Sequence, residues 1–255
     1  MTTRQNLILS ISLLISGFSF AQILENPDID KLKYIFEDEI SVLMPETDYI
    51  NWAKNDVLTR ILENGEMKGE EQFFVFIDRN PNRQNLMIGY YDCVNKEIIV
   101  IGWDKVSTGN PVRKGYYITP IGIFKNSLAN IGYRAEGTKN QNGWRGLGKK
   151  GSRVWDFGWQ KTKYSPKSDD EIEIRLLMHA TDPDFGEPRL GQPDSKGCVR
   201  ISAKSNHFLD HYGILDYDYE NNANSDSVAW LLSPNRETVD CLGKFMIVGD
   251  SSPVF

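Results

Sequence analysis

Histidine and cysteine are both rare in this 255-residue chain, with three of each. No Cys-x-x-Cys pair occurs. The one close histidine pair, His207 and His211, is separated by Phe208, Leu209 and Asp210 and lacks the glutamate of a zinc-protease helix. These histidines read as surface or packing residues, and no metal site is expected. Basic charge is in deficit: 29 Lys and Arg face 35 Asp and Glu, for a formal net charge of −6. A nucleic-acid partner, which needs a basic face, is disfavoured on that ground. Long apolar runs are missing as well. The longest, Leu7 to Phe20, holds 14 residues, short of the roughly twenty that span a bilayer. What remains, 40% hydrophobic and 25% charged, is the composition of a globular protein and not of a disordered or collagen-like one.

The N-terminus carries a targeting pattern. Arg4 supplies a positive start, the Leu7–Phe20 stretch follows, and Ser19 and Ala21 place small residues at the −3 and −1 positions before Gln22. Residues 1–21 are expected to be a cleaved signal peptide. No cysteine follows Ala21, which argues against a lipoprotein. The mature chain is expected across the inner membrane, in the periplasm or cell-wall compartment, with no stable membrane span after cleavage. An exported chain with the odd set Cys93, Cys198 and Cys241 must leave at least one thiol free unless chains pair. Cys93 and Cys241 sit in or beside apolar strand candidates, so either a disulfide or two buried thiols fits them.

The hydrophobic period changes once along the chain. Ile29, Leu32, Phe36, Ile40 and Leu43 recur at helical spacing until Pro45, and Ile50, Trp52, Leu58 and Ile61 suit a second helix from about Asp48 to Leu62. Residues 22–71 are expected to form a short helical brace. From Gln72 the chain reads as strands: Phe73–Ile77, Leu86–Tyr91 and Ile98–Ile101 are β-branched and aromatic runs bounded by Asn, Pro and Gly. That spacing predicts a mainly β chain built as a β-sandwich. Ser202 can cap a helix from Ala203 to Tyr212, with Gly213 in the left-handed position that ends it. Between Tyr133 and Lys167, nine Lys and Arg stand against Glu136 and Asp156, with Trp144, Trp155 and Trp159 among them. The segment suits either a wall over a cleft that takes an anionic peptide or a solvated loop.

The chemistry concentrates in Ser195-Lys196-Gly197-Cys198-Val199-Arg200, with His179 nineteen residues before the cysteine in a strand-like run. A thiol of ordinary pKa, about 8.5, attacks carbonyls at neutral pH only when an imidazole, cation or amide dipole favours the thiolate. His179 is the candidate base. Gly197 removes a side chain beside the sulfur and leaves the Cys198 N–H free to face an oxyanion. A small buried cysteine and a structural histidine would look the same from these two residues alone.

Two further blocks, Val106-Ser107-Thr108-Gly109 and Thr119-Pro120-Ile121-Gly122-Ile123-Phe124, precede the histidine. In this order, the blocks together resemble the YkuD-type L,D-transpeptidase catalytic domain over residues 72–249. The resemblance implies an L,D-transpeptidase-type β-sandwich with a helix after the cysteine motif. It implies Cys198 as nucleophile, His179 as proton acceptor and donor, and Ser195, Lys196, Gly197 and Arg200 as walls of the substrate and oxyanion site. It also implies peptidoglycan stem peptides as partners, a thioester intermediate, no cofactor, and a part in cell-wall biogenesis and cell shape. One position departs: the family most often has a second histidine where Lys196 stands. A same-fold thiol hydrolase, whether L,D-carboxypeptidase or amidase, and a non-catalytic wall-binding module are the alternatives. Arg200, by the geometry of its guanidinium, suits either a substrate carboxylate or a structural ion pair.

Overall fold

The computed structural model describes residues 27–40, 43–165 and 167–253; the expected signal peptide lies outside them. Helices α1 (Pro27–Glu39) and α2 (Thr47–Glu63) come first, close to the positions their apolar periodicity predicts. Strands β1 (Gln72–Asp78), β2 (Asn85–Asp92), β3 (Glu97–Lys105), β4 (Gly122–Lys125), β5 (Tyr133–Arg134), β6 (Arg153–Lys163) and β7 (Glu171–Ala180) follow. Then come β8 (Val199–Ile201), α3 (Ala203–His211), the short α4 (Tyr217–Glu220) and α5 (Asp226–Ala229), and β9 (Phe245–Gly249). The first sheet has the order β3-β2-β1-β9-β4 and the second β5-β6-β7-β8. Two packed sheets are present, while helices weigh more than a mainly β reading allows, so the fold is mixed α/β. No helix among the described residues is long and apolar enough to cross a membrane.

Alternation along β1 explains how the layers join. Phe73, Val75 and Ile77 enter the core shared with Trp155, Leu176 and Met178 of the second sheet, and Phe74 and Phe76 enter a separate core under α2. Every residue of β1 is buried, as a strand covered on both faces requires. Helix α2 supplies Tyr49, Ala53, Val57 and Ile61 to that outer core. Helix α1 sends Leu32 and Phe36 into the core between the sheets. Phe36 rests on Gly102, where an added Cβ would fall 2.1 Å from its ring. The α3 boundaries match the sequence reading: the Ser202 hydroxyl accepts from the Ser205 N–H at 3.0 Å, and Gly213 follows with φ +63°.

Candidate functional site

Strands β7 and β8 run parallel, pairing Met178 with Val199, His179 with Arg200 and Ala180 with Ile201. Parallel neighbours need a crossover of about a dozen residues or more, and the spacing between the histidine and the cysteine motif accommodates it. Met178, Val199 and Ile201 all enter the core between the sheets. By alternation, His179, Arg200 and Cys198 take the opposite face of the same strand pair. The sheet thus brings the expected base and nucleophile to one side, at diagonal positions on adjacent segments of the chain.

The two upstream blocks converge on this loop. Ser107 and Arg200 exchange backbone hydrogen bonds of 2.9 Å in both directions, and the Thr108 carbonyl accepts from the N–H groups of Asp194 and Ser195. The buried Gln84 amide holds Thr108 in turn, accepting from its N–H at 2.6 Å and donating to its hydroxyl at 2.8 Å. Thr119 is the central tie. Its hydroxyl accepts from Gly109 N–H at 2.9 Å and donates to the Gly197 carbonyl at 2.8 Å. Across a trans peptide the N–H points opposite to the C=O. Fixing the Gly197 carbonyl on Thr119 therefore turns the Cys198 N–H the other way, and it donates to none of the described residues. Gly197 itself sits at φ +123°, and a Cβ there would lie 2.6 Å from Ile174 Cδ1. Glycine alone suits the position.

Electrostatics leave the expected base and nucleophile both neutral at rest. His179 is 4% exposed, and its Nδ1 lies 2.7 Å from the Ala180 carbonyl. A carbonyl only accepts, so Nδ1 carries the proton and Nε2 keeps its lone pair. Burial holds the imidazole pKa down to about 4, with Arg200 acting in the same direction and the Ala180 carbonyl opposing. Burial also pushes the Cys198 thiol up, against a backbone hydrogen bond from Leu177 and the Arg200 charge. The thiol lies 3.9 Å from the Arg175 carbonyl.

Several residues around the thiol were not singled out by the sequence. Arg175 donates from Nε to the buried Asp156 at 2.6 Å. Tyr133 has its phenol pKa raised by burial first and then by the charges of Asp156 and Cys198. Strand alternation was the available signal, since Arg175 and His179 share a face of β7. Asp194 is the other addition, buried between Arg189 at 2.7 Å and Arg200 at 3.2 Å.

Among the expected wall residues, the Ser195 hydroxyl is spent inside the loop, donating to the Cys198 carbonyl at 2.5 Å and accepting from Gly197 N–H at 3.0 Å. Arg200 takes the ion-pair role with Asp194. Lys196 lies 5.8 Å from the centre of the Tyr116 ring, and it is Arg200 whose charge favours the thiolate. Four of the nine cations between Tyr133 and Lys167 are held in ion pairs. Arg134 pairs with Asp210, Arg145 with Asp182 and Asp184, Arg153 with Asp216, and Lys161 with Glu171. Trp155 is core, Trp159 is exposed, and Trp144 stacks on Phe185. His207 and His211 lie with ring centres 5.5 Å apart on α3. Cys93, Cys198 and Cys241 are all free thiols. No family model matches this chain, and no curated protein sequence matches it.

Proposed function

We propose that this chain is an exported cysteine L,D-transpeptidase of the YkuD type, acting on peptidoglycan stem peptides. The observation that carries the proposal is the arrangement around Cys198: a donor N–H left without an acceptor beside the thiol, and a histidine on the same strand face whose Nε2 is free to take a proton.

In this reading His179 Nε2 accepts the Cys198 proton as the sulfur attacks the carbonyl of the diamino acid at the third position of a tetrapeptide stem. The Ala180 carbonyl, already on Nδ1–H, steadies the imidazolium. The tetrahedral oxyanion lies on the Cys198 N–H, the type of donor that stabilises charge developing in the transition state. Collapse breaks the peptide bond, and the imidazolium returns its proton to the departing amine of D-Ala. An acceptor amine then attacks the thioester, passing its proton through His179 back to the thiol, and a new amide forms. A second stem gives a cross-link, a free D-amino acid gives exchange, and water gives a carboxypeptidase.

The test is incubation of the protein with isolated tetrapeptide stems and with sacculi, with and without an acceptor amine, read by mass spectrometry. Release of D-Ala with acceptor-dependent amide formation is expected, and a carbapenem should add one equivalent of covalent mass at Cys198. Release of D-Ala with no acceptor product would move the assignment to the hydrolase. Sacculus binding without release would move it to the wall-binding module, and adduct on Cys93 or Cys241 would remove the nucleophile.

A further inference from the structure

Against the loop that carries Cys198 lies a cavity of about 400 Å³ whose lining includes Arg113, Arg189, Lys196 and Arg200, with Asp194 as its one acid. One carboxylate among four cations leaves a local charge of +3, in a chain whose net charge is −6. The cations are spread over three backbone segments that the scaffold of the site holds together. Arg113 follows the Ser107–Gly109 turn, Arg189 lies on the crossover between β7 and β8, and Lys196 and Arg200 flank Cys198. The Ser107 hydroxyl donates to the Arg189 carbonyl at 3.1 Å, and Asn110 donates to the Pro193 carbonyl at 2.9 Å. These bonds tie the first segment to the second.

Aromatic rings hold the charges in place. The Arg113 guanidinium lies 4.5 Å from the Tyr116 ring centre, Lys196 is on the same ring, and Arg189 lies 5.6 Å from the Trp144 ring centre. Such stacking orients a guanidinium while leaving in-plane N–H donors for an anion. Asp194 cannot satisfy them all: Arg189 and Arg200 take separate oxygens, and Arg113 stands 4.0 Å away with its side chain 56% exposed. Like charges gathered around one acid are unfavourable unless an outside anion completes the set.

We propose that this cavity binds two free carboxylates of a single peptide ligand, so that the chain selects acidic, non-amidated peptides. The identification of that ligand with a stem peptide at Cys198 rests on the transpeptidase reading; the anion site itself does not. Arg200 lines the cavity and is two residues from Cys198, whose thiolate its charge favours, and this places the anion site next to the proposed nucleophile in the chain.

The experiment measures binding alone, by calorimetry on Cys198→Ala protein at low salt, with three probes: tricarballylate, a stem tetrapeptide with free carboxylates, and the same peptide fully amidated. Tricarballylate and the free peptide should bind and the amidated peptide should bind about tenfold more weakly or worse. Arg113→Gln with Arg189→Gln should weaken the first two by about tenfold and leave the third alone. Both arginines are about half exposed, and an unchanged melting temperature checks that folding is intact. Lys149→Gln with Lys150→Gln, exposed lysines outside the cavity, should change nothing. Equal binding of free and amidated peptides, or tricarballylate affinity indifferent to the two arginines, overturns the proposal. Anion binding that follows the arginines in a protein that transfers no acyl group would instead count against the transpeptidase reading.

Discussion

In the proposed mechanism His179 joins stability and catalysis through one proton. Its folded pKa of about 4 lies below the ordinary 6.5, so between those values the unfolded chain binds a proton that the folded chain refuses. Stability then rises with pH across that window and is lost as pH falls from 6.5 toward 4. A shift of this size corresponds to about 3 kcal/mol at most. His179→Gln should therefore flatten the dependence of the melting temperature on pH between those limits, and an unchanged slope would show that other groups cause it. If His179 is the base, as proposed, the same neutral imidazole should set the rate profile. With both His179 and Cys198 uncharged at rest, kcat/KM should be level from about pH 5 through neutrality and fall only as His179 protonates. His179→Ala should lose about 10² to 10⁴ in rate. An acid limb near pH 6.5 in the wild-type profile would show an imidazole titrating at its ordinary pKa, and so a base that is not held neutral by burial.

At the scale of the loop and strand, one hydroxyl decides where the Cys198 N–H points. Thr119 bridges Gly109 and Gly197, so Thr119→Val keeps the shape but leaves a buried N–H and a buried carbonyl unpaired, each costing about 1–3 kcal/mol. The freed Gly197–Cys198 peptide should also cost about 10² in kcat, the scale of a lost oxyanion donor, with KM little changed. Thr119→Ser should restore most of both, and a Val variant with wild-type kcat would separate Thr119 from the oxyanion. The threonine was visible in the sequence only as part of a resembling block; its two partners lie 10 and 78 residues away. Local signals fared better where the physics is local. The Ser202 cap and the Gly213 terminus of α3 were legible because a cap acts within one turn. Arg113 and Arg189 were not, because only the packing of the turn against the crossover makes them neighbours. The run of cations between Tyr133 and Lys167 was legible only in part for the same reason: Arg134, Arg145 and Arg153 meet acids that are distant in sequence, while Trp144 of that segment lines the cavity with Lys196 and Arg200.

For the whole molecule, the N-terminal helices belong to the layering that holds the site. The first sheet is apolar on both faces, and α2 is the cover of the outer one: without it Phe74, Phe76, Met87, Trp103 and Ile247 would meet water. A chain lacking residues 27–63 should therefore be insoluble or bind a hydrophobic dye strongly, since so contiguous an apolar face is an aggregation surface. The sharper test is Ile61→Ala, fully buried in that outer core. Such a truncation costs about 2–5 kcal/mol, which for a chain of this size lowers the melting temperature by roughly 5–20 °C. Cys198 is held by the second sheet, on its face away from the core between the sheets, so two sheets separate it from Ile61. The variant should keep the wild-type kcat per carbapenem-titrated site at a temperature where it is folded. A loss of kcat at full titration would mean that α2 positions the thiol through the first sheet, and the helices would then be part of the catalytic machinery and not a cover.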